Sequence, residues 1–246
     1  MKTIGLIGGA SYESTLEYYQ SINSEVNKLL GQHYSAEILL YSFNFNELVK
    51  AFYEDCWNDI EHMMINAIRR LERGGADFIA ICCNTLHKAV PAIEKTVNLP
   101  LLHILTPVGN EIKKAGINKV ALLGSKFTMD GDFHKDYLFN HFQIETILPK
   151  QEEKEIINTI IFDELCYGVV KDQSKKIIFD IIKVLTQKGA QAVILGCTEL
   201  YMLFSSPNDI QIPFFDTTSL HSKGIVSYAL DNTKDVFLNN SAKMVA

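Results

Sequence analysis

A chain of 246 residues that is 47% hydrophobic and 21% charged is long enough to bury one sizeable core or two smaller ones. A net charge of −6 without basic clusters argues against nucleic acid and membrane surfaces as partners, and no apolar run reaches the roughly 18–20 residues of a bilayer span. Five cysteines, an odd number in no regular framework, read as thiols of a reduced, cytoplasmic protein. The start of the chain, Ile4 to Ile7 followed by Gly8-Gly9, lacks the long apolar region of a signal peptide.

In chain order, Ile4–Ile7 predicts a short buried strand, and a helix follows from about Ser11. Apolar residues at Leu16, Tyr19, Ile22, Val26 and Leu29 carry its period to about Leu30. Residues 36–43 predict a second strand and Asn44 to Asp55 a polar turn region. A helix from Cys56 to Arg73 places Trp57, Ile60, Met64, Ile68 and Leu71 on one face and stops at Gly74-Gly75. The strand GADFIAICCNT comes next, then a helix over about Leu86–Thr96 and a short strand, LLHIL.

The same order returns in the second half. A helix at 107–115 leads to the strand KVALLGS, whose Leu122-Leu123-Gly124 echoes Leu6-Ile7-Gly8. A helix over 131–142, the strand QIETILP and two helices, 152–165 (apolar face Ile156, Ile157, Ile160, Ile161) and 174–188, precede GAQAVILGCTEL. IQIPFFDTT then mirrors NLPLLHILT. A last helix spans 220–230, and the tail from Asn232 is expected to be loose. Strands alternating with helices predict α/β architecture with parallel sheets, and the repeat predicts two pseudo-symmetric domains. We expect residues 1–106 with 217–246 to form the first and 107–216 the second.

Aligning Gly75 with Gly189 places Cys83 on Cys197, 114 residues on. Each thiol closes a buried strand, where ligands of open α/β sheets bind, and the expected site is the cleft between the domains. A helix N-terminus just beyond each cysteine would favour its thiolate, making both candidate bases or nucleophiles. Cys82 aligns with Gly196 and by alternation turns into the core. Cys56 and Cys166 lie in no motif and read as structural. No CxxC pair or His/Cys metal spacing and no Gly-x-Gly-x-x-Gly occur, so zinc and dinucleotides are not expected.

IGLIGGASYEST, CCNTLHK, ELCYG before Lys171, GAQAVILGCTEL and PFFDTTSLH together resemble the aspartate/glutamate racemase family over nearly the whole chain. The resemblance implies a cofactor-independent amino-acid racemase, acting on aspartate or on aspartate and glutamate, with Cys83 and Cys197 as an acid/base pair at one site. It implies a homodimer. The chemistry agrees, since racemisation needs a base on one face of Cα and an acid on the other. The resemblance places Gly9, Ala10, Ser11, Asn84, Thr85, Thr198 and Glu199 around the amino-acid head. Ala10 stands where relatives usually have Met, which would leave that wall roomier. Ser125 and Thr128 match a segment lining the second wall; helix capping is the plain alternative for these polar groups. Lys171 occupies the place of a lysine that binds the distal carboxylate, and Lys50 is the basic residue nearest to a family arginine. His87, one turn past Cys83, could orient a polar group or be a helix-surface or core histidine; Asp216 and His221 match the family's terminal motif and can be structural alone. Hydantoin racemases, maleate isomerases and arylmalonate decarboxylases share the architecture and remain alternatives. So do a non-catalytic amino-acid-binding protein and a nucleotide-binding oxidoreductase.

Overall fold

The computed structural model describes residues 1–204 and 212–230. The expectation for the tail from Asn232, and the first residues of IQIPFFDTT, lie outside them. Among the described residues the chain divides into two compact units, 1–107 with 221–230, and Val108–Leu220. Each is built on a four-stranded parallel sheet.

In the first unit the strands are β1 (Ile4–Gly8), β2 (Ile38–Ser42), β3 (Phe78–Ile81) and β4 (Leu101–Leu102), in the order β2-β1-β3-β4. Strand β1 pairs Ile4 with Ile38 on one side and with Phe78 on the other. Alternation turns Ile4, Leu6, Phe78, Ala80 and Cys82 toward one core, shared with Tyr18, Ile22 and Val26 of α1 (Tyr12–Leu30). Cys82 is therefore a core residue, as the repeat predicts. Each such aliphatic side chain contributes about 1.5–3 kcal/mol on burial.

The helical face of α1 differs from the expectation. Ser14, Thr15, Tyr18, Ile22 and Val26 are buried, while Leu16, Tyr19 and Leu29 face solvent. The phase is set at the start of the helix. Ser11 caps it and small side chains must face the end of β1, where a Cβ on Gly8 would already meet Thr15 at 2.5 Å.

Two further elements depart from the sequence reading. Residues 44–55, expected as a turn, contain α2 (Phe45–Tyr53), capped by Asn44 and burying Leu48, Ala51 and Phe52. After Cys83 a 3-10 helix (Thr85–Ala89) precedes the short α4 (Val90–Glu94). Pro91 has no N–H to return to the His87 carbonyl, so that carbonyl is taken by Val90 in the tighter pattern. Helix α3 (Trp57–Arg73) follows expectation, burying Ile60, Met64, Ala67, Ile68 and Leu71.

The second unit repeats the plan. Its strands β5 (Lys119–Gly124), β6 (Glu145–Ile147), β7 (Ala192–Gly196) and β8 (Phe214–Asp216) run in the order β6-β5-β7-β8. Ala121, Leu123, Val193 and Leu195 meet Ile157, Ile160 and Ile161 of α8 (Gln151–Asp163) and Ile178, Ile181, Ile182 and Leu185 of α9 (Asp172–Gln187). Ile156, expected on that face, is exposed. The single helix expected over 131–142 is preceded by a second: α6 (Lys126–Asp130) is separated from α7 (Phe133–Phe142) by Gly131 in extended conformation. Helices α5 (Leu105–Lys114) and α10 (Thr217–Leu230) carry the chain across the unit boundaries.

Candidate active site

In the first unit the Gly9–Ser11 loop and the Cys83–Thr85 turn leave neighbouring strands, and the Cys82 N–H donates to the Ile7 carbonyl at 2.8 Å. Gly9 has φ +85°, and a Cβ there would lie 2.2 Å from the Phe43 nitrogen, so the loop can rest on that backbone only with glycine. Ser11 accepts the Ser14 N–H at 3.3 Å as the N-cap of α1. Thr15 ties the loop down, donating to the Ser11 carbonyl and accepting the Gly9 N–H, both at 2.8 Å. Ala10 is half-buried and Asn84 and Thr85 are buried beside the half-buried Cys83.

The second unit repeats this arrangement. At the carboxyl ends of β5 and β7 two glycines face each other; a Cβ on Gly124 would stand 2.9 Å from the Gly196 carbonyl oxygen. Their close approach sets Ser125 beside Cys197. Ser125 caps α6, accepting the Thr128 N–H at 3.4 Å, with the two hydroxyls 3.2 Å apart. Ser11 and Ser125 are themselves 114 residues apart. Each unit thus presents one thiol turn and one serine-capped helix start. These serines cap their helices.

Cys197 carries the most developed environment. Its thiol donates to Glu199 Oε2 at 2.9 Å, and the Thr198 hydroxyl donates to the same oxygen at 2.9 Å. Burial, then the Glu199 carboxylate, push the Cys197 thiol well above its usual range; only the Glu199 N–H, directed at the sulfur, works the other way. These causes oppose the thiolate that a helix N-terminus would favour. The helix after Cys197 is a six-residue 3-10 helix, Thr198–Leu203. Cys166, read from sequence as structural, lies in the short turn Leu165–Tyr167 and bonds to the same carboxylate. Burial and Glu199 push its thiol up to about 12. No local pattern marks that meeting of residues 166 and 199, because it depends on the packing of two turns.

Each of the two expected carboxylate-binding lysines pairs with a glutamate close to it in sequence. Lys50 projects from α2 with its side chain 71% exposed, 3.9 Å from Glu54 one turn on, an exposed pair of little energetic weight. Lys171 precedes α9 and pairs with Glu164 at 3.2 Å, while the Ser174 hydroxyl donates to the other Glu164 oxygen at 2.6 Å. The Ser174 hydroxyl and the Lys171 ammonium hold Glu164 below the usual carboxylate range. Asp216 accepts the N–H groups of Thr218 and Ser219 at the start of α10. His221 is structural: its Nε2 lies 3.1 Å from the Leu102 carbonyl oxygen and its Nδ1 3.0 Å from the Tyr18 hydroxyl, in the first core.

Two parallel α/β units with identical strand order, each closing its third strand on a cysteine turn, define a duplicated α/β protein with paired thiol turns. The chain belongs to the Asp/Glu/hydantoin racemase family, whose pattern matches residues 7–223, and is thereby an isomerase of the amino-acid racemase class. It is 24% identical over 234 residues to the broad-specificity amino-acid racemase RacX of Bacillus subtilis (strain 168), covering 91% of this chain and 96% of that protein. It is 40% identical to a crystal structure from Yersinia pestis assigned provisionally as an Asp/Glu racemase, with a TM-score of 0.87 over 94% of this chain and all of that one. An aspartate racemase homologue from Pyrococcus horikoshii gives 37% identity and a TM-score of 0.79 over the same shares. Among the described residues no helix is long and apolar enough to cross a membrane.

Proposed function

We propose that the protein racemises aspartate, or aspartate and glutamate, by two-base proton transfer at Cα without a cofactor. Cys83 and Cys197 act on opposite faces of the substrate. The observation that carries this reading is the equivalence of the two thiol turns: the same strand, in the same sheet position, ends on a half-buried cysteine in both units. Cys197, whose thiol donates to Glu199, begins as the acid that completes one direction. When it works in reverse, the carboxylate at 2.9 Å is the group against which its proton is balanced. Asn84, Thr85 and Thr198, with the loop Gly9–Ser11 and the helix starts at Ser11 and Ser125, hold the amino-acid head.

The test is a panel of L- and D-amino acids in heavy water, read by proton NMR and chiral chromatography, with enzyme dialysed exhaustively against a chelator. Aspartate or glutamate should exchange its α-hydrogen and invert, with no gain on adding metal, pyridoxal phosphate or nicotinamide. Binding without exchange would make the protein a sensor, and metal-restored activity would overturn the cofactor-free reading. We carry a homodimer as part of this proposal, to be read as twice the chain mass by light scattering.

Lys171 bears on the choice of substrate. If it receives the distal carboxylate, Glu164 competes for it. Glu164→Gln should then raise kcat/KM for aspartate about two- to fivefold relative to alanine, an ion-pair difference of up to about 1 kcal/mol for a largely exposed lysine. Unchanged selectivity would remove Lys171 from substrate recognition and favour a broad-specificity racemase.

A further inference from the structure

His87 stands in the 3-10 helix directly after the Cys83 turn and is 1% exposed. Its Nδ1 lies 2.8 Å from the carbonyl oxygen of Cys83, and its Nε2 lies 3.0 Å from the backbone nitrogen of Ile104. An amide N–H only donates, so Nε2 is the acceptor, the proton sits on Nδ1, and Nδ1–H donates to Cys83. One imidazole thus joins the thiol turn to the turn after β4. The neighbouring rings hold it in place: His103 packs edge-on at 4.6 Å between centroids and His221 at 6.1 Å. His103 in turn accepts the Leu105 N–H at 3.2 Å.

The second unit does this differently. The carbonyl of Cys197 is taken by the backbone N–H of Leu200 at 3.2 Å, inside its own 3-10 turn. Tyr201, the residue at the repeat position of His87, is exposed. The thiol of the second unit is oriented by a local carboxylate, whereas the turn of the first is oriented by a distant backbone through a side chain.

We propose that His87 is a positioning residue for Cys83, fixing the turn that aims its sulfur through a neutral imidazole of defined tautomer, and that Cys197 is independent of it. The inference rests on the reading of Cys83 as one of the two acid/base groups. Burial supports it, since a buried neutral ring keeps its acceptor, and His87 is lowered to about 4. An imidazolium would set N–H against the Ile104 N–H.

The experiment compares His87→Ala, His87→Asn and His87→Gln. Asparagine can place an N–H near the position of Nδ1, and glutamine can reach toward Ile104 without serving Cys83 in the same way. His87→Ala should lower kcat for racemisation about 100-fold with KM little changed, as expected when a reacting group is displaced by about 1 Å. His87→Asn should recover most of it and His87→Gln little. Carbamidomethylation of each thiol, followed by mass spectrometry, supplies the second readout. The Cys83 labelling rate should change about fivefold or more in His87→Ala, while Cys197 in the same molecules keeps its rate. Equal changes at both cysteines, equal recovery by Asn and Gln, or wild-type kcat in folded His87→Ala would overturn the proposal. A wild-type enzyme that exchanges no α-hydrogen would overturn the racemase reading instead, and the proposal with it.

Discussion

Cys83→Ser and Cys197→Ser should each lower racemisation by at least about 10³-fold, within the range expected for losing a positioned acid or base. A serine hydroxyl is too weakly acidic to form the base, yet each variant keeps one thiol. Cys197 in Cys83→Ser should still exchange the α-hydrogen of one enantiomer, and Cys83 in Cys197→Ser that of the other. Deuterium incorporation from each enantiomer, measured for each variant, checks this. Near wild-type racemisation by Cys83→Ser would make Cys83 a structural thiol and leave a one-cysteine reaction of the decarboxylase kind. The environments of the two turns add a detail. Because Glu199 bonds to the Cys197 thiol, the serine that replaces it inherits an acceptor at that place, so the fold around it should be retained.

The second large effect is on stability in acid. His87 and His221 are both fully buried and neutral, lowered by burial to about 4 and about 3, with the His87 neighbour lowering His221 further. In the unfolded chain each titrates near its usual 6.5. Between that value and the folded values the unfolded state binds more protons, so stability present above about pH 6.5 is lost as pH falls. For His87 alone the loss amounts to roughly 3 kcal/mol, against a total of about 5–15 kcal/mol for an ordinary domain. Urea unfolding at pH 7, 6 and 5, a range where exposed carboxylates stay largely ionised, should show a steady fall in midpoint at constant slope. A midpoint that is level across that range would mean that the two rings accept protons in place.

Much of this architecture was readable because the parallel strands are short, continuous apolar runs, and because the duplication supplies its own internal alignment. That Cys82 turns into the core follows from strand alternation. The features that escaped depend on packing. Helix α2 offers only nine residues and three buried positions, too few for a period to declare itself beside its flanking Asn44 and Asp55. The buried face of α1 is led by Ser14 and Thr15, which hydrophobic patterning overlooks, and the apolar Leu16 and Tyr19 misdirect it. The sharing of Glu199 by Cys166 and Cys197 joins residues far apart in sequence, and His103, in a segment that reads as plain strand, gave no sign that it packs on His87.

The crossings of the unit boundaries within α5 and α10 also bear on how the chain is made. Val108–Leu220 is one uninterrupted stretch, so everything the second unit needs among these residues has been synthesised by Leu220. The first unit is begun earlier but finished later. Its core includes Ile225, Val226, Tyr228 and Ala229 of α10, and the Lys2 N–H bonds to the Ala229 carbonyl at 2.9 Å. On the ribosome, then, the β1–β3 face awaits its last cover while the second unit is being translated, at about 5–20 residues per second. A nascent chain arrested at Leu220 holds a complete later half and an open earlier one, the reverse of the order in which they were begun.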